Sequence, residues 1–150
     1  MGRSTFLYVT YIRTTPEKLW AALTEPEFMK QYWFGMHGQS DWTVGSPWKL
    51  LAADGRTAAE GEIVESDPPR RLVFRWQDRT RPELEAEGPS LCSMVLAPES
   101  GAVKLTITHT IERDDARVIV AVSGGWPKVL SNLKTLLETG SDAFAPLATC

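Results

Sequence analysis

Apolar and polar positions alternate with a period of two through most of this chain, and with a helical period near its start and its end. Residues 5–13 are rich in β-branched and aromatic types and predict a strand. Thr15 then precedes Pro16, a hydroxyl cap followed by the residue type best suited to a first helical position. Leu19, Trp20 and Leu23 continue it as a short helix over 16–24. Pro26 opens another, with Phe28, Met29, Tyr32 and Trp33 toward one side. Gly35, Gly38 and Gly45 mark a loop over 34–46.

Period two returns at Trp48, Leu50 and Ala52. Asp54-Gly55 is a hairpin signal, and a return strand is expected over 57–65. Asp67-Pro68-Pro69 ends it. Leu72, Phe74 and Trp76 then alternate with Val73, Arg75 and Gln77. The charged stretch 78–89, with Pro82, Gly88 and Pro89, reads as a loop. Strands over 90–97 and 102–112 follow. In the second, Val103, Leu105, Ile107, His109 and Ile111 share one face, and Lys104, Thr106, Thr108 and Thr110 share the other. One buried and one wet face mark an antiparallel sheet. A final helix is expected over 115–138, with Val118, Val122, Trp126, Val129, Leu130, Leu133, Leu136 and Leu137 as its apolar stripe. Gly140 suits its end, Pro127 predicts a kink, and residues 141–150 read as a flexible tail.

Strands with one apolar face and a helix with one apolar stripe solve each other's burial problem. The expected architecture is therefore α+β: a curved antiparallel sheet wrapped around the C-terminal helix, with two short helices after the first strand, in one domain over 1–140. A curved sheet closed by one helix leaves a space between them that suits a small ligand.

Composition agrees with an ordinary globular chain: 150 residues, 43% apolar and 23% charged, with a net charge of −3. That charge argues against a nucleic-acid binder. No apolar run approaches the roughly 18 residues of a membrane span, and Met1 to Thr5 lack the regions of a signal peptide. A cytoplasmic protein with free thiols at Cys92 and Cys150 is expected. Arg70, Arg71, Arg75, Arg79 and Arg81 form the one basic concentration, read as a solvated strand edge and loop.

The unusual feature is six tryptophans, more than a core of this size needs. Trp20 is expected to plug one end of the sheet. Trp48 and Trp76 fall on inward strand faces and Trp126 in the helix stripe. The run Tyr32, Trp33, Phe34 cannot all face one core and is the candidate pocket mouth. The expected ligand-binding set is Trp33, Trp48, Trp76, Met94, His109, Trp126 and Leu130. Indole donors favour a mixed aromatic and polar ligand. Leu133 and Leu137 are expected to seal the closed end, and Trp126→Ala to cost affinity more than stability.

Motifs for phosphate binding, serine hydrolysis and zinc proteolysis are absent, and neither a cofactor nor a metal is expected. His109 is the one titratable group on an inward face and the weak candidate for an acid or base; a hydrogen-bonded neutral histidine is the blander alternative. His37 is expected in a solvent-exposed loop.

The segments TPEKLWAALTEPEF at 15–28, SDWTVGSPW at 40–48, DGRTAAEGEIVESDPPRRLVFRW at 54–76 and GGWPKVLSNLKTLLETG at 124–140 resemble the helix-grip superfamily of START-like proteins. Within it, the chain is similar to the family named for the C-terminal domain of the activator of heat-shock protein 90 ATPase. The resemblance implies a helix-grip fold and three functions. The first is binding of a small hydrophobic or aromatic molecule between sheet and helix. The second is a polyketide cyclase or dehydratase-like activity using His109. The third is a chaperone-interacting module. A monomer or homodimer is expected.

Overall fold

The structure, a computed structural model, describes residues 2–140. In chain order it contains β1 (Ser4–Ile12), α1 (Pro16–Thr24), α2 (Pro26–Tyr32), β2 (His37–Ser40), β3 (Pro47–Leu51), β4 (Thr57–Asp67) and β5 (Arg71–Asp78). Then come α3 (Pro82–Glu85), β6 (Ser90–Glu99), β7 (Ala102–Ile111) and α4 (Arg117–Thr139). The seven strands form one curved antiparallel sheet in the order β1-β7-β6-β5-β4-β3-β2, and α4 lies in its concave side. The helix-grip arrangement is present. Sequential strands pair as neighbours except at one edge, where β1 returns beside β7 with Ser4 opposite Ile111.

Local chemistry explains the element boundaries. Thr15 Oγ1 accepts from Lys18 N at 3.2 Å and starts α1. Glu25 ends that helix in an extended conformation, which the following Pro26 favours. Gly55 turns the β3–β4 hairpin at φ +92°, where other residues would be strained. Gly61 serves a different purpose. It pairs with Trp48 across β3 and β4, and the Trp48 indole passes over it to donate to Arg75 O at 2.6 Å. A Cβ on Gly61 would stand 2.1 Å from that same oxygen.

The short helices are tied to α4 by buried hydrogen bonds. Tyr32 Oη donates to Ala22 O at 2.7 Å, and Asn132 Nδ2 donates to Tyr32 O at 2.9 Å. At its start α4 has no capping side chain of its own, because Ala116 precedes it. Glu87 supplies one from the α3–β6 connection, accepting from Arg117 N and Val118 N at 2.8 Å each. Pro127 lies inside the helix, which continues as one element on both sides of it. Gly140 terminates it at φ +89°.

Two elements differ from the sequence expectation. β2 lies where a loop was expected, because His-Gly-Gln-Ser carries no apolar alternation and pairs through backbone with β3. α3 interrupts the charged stretch, with Leu84 as its buried residue. The expected tail and Cys150 lie outside the described residues. Cys92 is buried, and burial pushes its thiol pKa up. No helix among the described residues is long and apolar enough to cross a membrane.

Candidate functional site

The aromatic surplus gathers on the concave side of the sheet. Trp33 and Trp126 lie 5.4 Å apart between ring centroids, Trp76 and Trp126 5.9 Å, and Trp48 and Trp76 5.4 Å, all in tilted geometry. Aromatic pairs of this kind add about 0.5–1.5 kcal/mol each beyond area burial. The rings do not close the space between them. A cavity of about 200 Å³, partly open to solvent, is left against Trp33, Trp76 and Trp126.

Its remaining walls come from elements that meet only through the fold. Ala121, Val122, Gly125 and Val129 present the flank of α4. Leu50 and Ala58 come from β3 and β4, Met36 from the turn after α2, and Leu84 from α3. Asp78, Thr80 and Arg81 form a polar rim, with Arg81 half exposed. Asp78 is buried, and its Oδ1 accepts from Thr80 N at 2.7 Å, so part of the carboxylate is already committed. A larger hollow of about 410 Å³ lies beside Trp20 and Trp42, walled by exposed Asp41, Thr43 and Val44.

His109 is fully buried and does not line the cavity; it stands behind Trp76 and Trp126. Trp126 Nε1 lies 3.2 Å from its Nδ1 and Ser90 Oγ 2.7 Å from its Nε2. An indole nitrogen only donates, so Nδ1 accepts and the ring proton sits on Nε2. Ser90 Oγ receives that proton's hydrogen bond and donates its own to Trp76 O at 3.1 Å. Burial lowers the His109 pKa to about 4. With both nitrogens engaged, the imidazole has no acid or base to offer a molecule in the cavity.

The structure therefore sorts the expected site residues. Trp33, Trp76 and Trp126 meet at the cavity. Trp48 and Met94 line a much smaller apolar space behind Trp76. Leu130 and His109 belong to the packed core. The aromatic run after α2 divides: Tyr32 and Trp33 turn inward, while Phe34, at φ +53°, is half exposed and off the cavity wall. Leu133 is fully buried, and Leu137 is only partly so. His37 is half-buried rather than exposed, with Nδ1 buried and unpartnered among the described residues. Leu84, Asp78 and Gly125 were not anticipated. Leu84 had a signal, as the one large apolar residue in a charged stretch behind a helix-starting proline.

Each of the five arginines expected at a solvated edge faces a carboxylate: Arg70 Asp67, Arg71 Glu65, Arg75 Glu62, Arg79 both Glu60 and Glu85, and Arg81 Glu83.

Fold and cavity together define a helix-grip protein with an aromatic-walled hollow beside its long helix. Residues 13–138 match the family described as Activator of Hsp90 ATPase homolog 1-like protein, and the chain belongs to that family. No curated protein sequence matches it significantly. Among solved structures it is similar to protein MLL2253 from Mesorhizobium loti, with 25% identity, TM-score 0.77, and 90% of this chain and 97% of that one covered. The Aha1 dimer from Colwellia psychrerythraea shares 19% identity at TM-score 0.73, covering 91% and 98% of the two chains. PFC0360w, an HSP90 activator from Plasmodium falciparum, shares 22% identity at TM-score 0.72, covering 89% and 96%.

Proposed function

We propose that this protein binds a small ring compound, apolar or aromatic, in the cavity between α4, α3 and the sheet. The observation that carries this reading is the meeting of Trp33, Trp76 and Trp126 around a space of about 200 Å³ that they leave open. Protein interiors pack as densely as organic crystals and keep few voids larger than a water. A core holding this many large rings has ample means to fill the space. The volume lies below the ~300–1,000 Å³ of common ligand pockets, which favours one or two fused rings over a lipid chain.

Calorimetric titration with benzene, indane and palmitate tests this. Indane is expected to bind and raise the melting temperature, benzene to bind more weakly, and palmitate not to bind. Tighter binding of palmitate than of either ring would overturn the size argument; no ring binding up to the solubility limit would overturn the reading.

A second reading has its own support in a surface. On edge strand β1, Leu7, Val9 and Tyr11 are 61%, 42% and 47% exposed, and Ser4–Ile12 contains no charge to discourage pairing. Such a strand suits a protein partner, either the chaperone that the family is named for or, as in the Colwellia dimer, a second copy. Val9→Lys is expected to abolish any such association in sedimentation without altering ring binding.

A further inference from the structure

One carboxylate in the cavity wall lacks a counter-charge. Leu72, Phe74, Trp76 and Asp78 alternate along β5 and take its buried concave face. Asp78 is 8% exposed, lines the cavity, and lies opposite fully buried Ala59 on β4. Its Oδ1 is occupied, because Thr80 N and Thr80 Oγ1 donate to it at 2.7 Å and 2.5 Å. Its Oδ2 has no hydrogen-bond partner among the described residues. Two partnerless polar atoms of those residues are sealed from solvent, His37 Nδ1 and Trp76 Nε1; Asp78 Oδ2 is not one of them, so it keeps accessible surface.

The arginines nearby are turned to other carboxylates. Arg79 is held by Glu60 and Glu85, and Arg81, half exposed, faces Glu83 at 3.9 Å. A carboxylate taken out of water is costly unless a positive group meets it. Around the same space stand Trp33, Trp76 and Trp126. Indole faces carry the negative end of an aromatic quadrupole and attract a cation lying over them. Carboxylate and indoles therefore ask for the same sign of charge. A neutral ring leaves Oδ2 unmet, and an anion is repelled by it.

Building on the cavity reading above, we infer that the ligand is a small ring compound carrying a protonated amine, whose N–H donates to Asp78 Oδ2 while the three tryptophans hold the ring. A primary ammonium has three donors, which leaves two for Thr80 Oγ1 and for water at the open rim. A quaternary ammonium gains the indole faces but forgoes the charge-assisted hydrogen bond, so the site selects an amine that keeps an N–H.

Indane, 2-aminoindane and indane-2-carboxylate share one bicyclic skeleton and differ in charge at neutral pH. All three are titrated into the intact protein and into Asp78→Asn, which keeps the shape and the acceptor for Thr80 and removes the charge. Comparing the ratio of 2-aminoindane to indane affinity between the proteins cancels their different hydration. Asp78→Asn is expected to weaken 2-aminoindane by about ten- to a hundredfold and indane less than about twofold. The intact protein is expected to bind 2-aminoindane at least about tenfold more tightly than indane-2-carboxylate, which decides the matter even where Asp78→Asn does not fold. Equal weakening of 2-aminoindane and indane, equal or tighter binding of the carboxylate, or binding of indane without 2-aminoindane overturns the amine assignment and leaves the cavity reading standing. Failure of all three probes to bind the intact protein overturns both.

Discussion

His109 is held neutral from two sides, and that has a measurable consequence. An unfolded histidine titrates near pH 6.5, and burial brings this one to about 4. Its contribution is complete above about pH 6.5. As pH falls from there toward 4, the unfolded chain takes a proton that the folded chain refuses, so stability falls, by about 3 kcal/mol at pH 4. Urea unfolding at pH 7 and pH 5 measures the upper part of this slope, and His109→Gln is expected to flatten it. Equal stability at the two pH values would contradict the account. Gly61 makes the companion case. Because a Cβ there meets Arg75 O, Gly61→Ala is expected to cost at least about 2 kcal/mol and to shift the Trp48 indole resonance. A loss below about 0.5 kcal/mol would show that the Trp48 indole does not depend on this close approach.

Elements with a strong period were legible before the structure. The inward set of β7 and most of the α4 stripe follow directly from spacing two and from spacings three and four. β2 and α3 were not, since neither has enough apolar residues to show a period; their places come from backbone pairing and from one leucine. The site was legible in part for the same reason. Spacing gives the side of an element that a residue occupies, and it placed Trp76 and Trp126 inside. It does not give depth, so it could not separate Trp76, on the cavity wall, from Trp48 two strands away across β4, which lines the smaller space. Nor could it show that Trp126 both walls the cavity and satisfies His109. The expected contrast within α4 therefore disappears. Leu133→Ala is expected to cost about 2–5 kcal/mol, and Trp126→Ala about 3–5 kcal/mol as well as ligand affinity. Chemical denaturation of both variants checks this; a Trp126→Ala loss under about 1 kcal/mol would mean that its bond to His109 contributes nothing.

Across the molecule, α4 has two duties. Its Leu130 and Leu133 close the core against the sheet, while Gly125 and Val129 leave room on the flank toward α3. Gly125 allows the second duty to be tested apart from the first, because a Cβ built there meets nothing within 4 Å and the position lies on the cavity wall. Leucine at this position also removes the helix penalty of glycine, about 0.8–1 kcal/mol. The decisive measurement is a titration of indane into the intact protein and into Gly125→Leu, followed through the tryptophan indole N–H resonances. The account predicts that indane shifts the signals of Trp33 and Trp126 and leaves Trp20 and Trp42 unmoved. It also predicts that Gly125→Leu, at least as stable as the parent, no longer responds. Unchanged binding by Gly125→Leu, or shifts confined to Trp20 and Trp42, would contradict it.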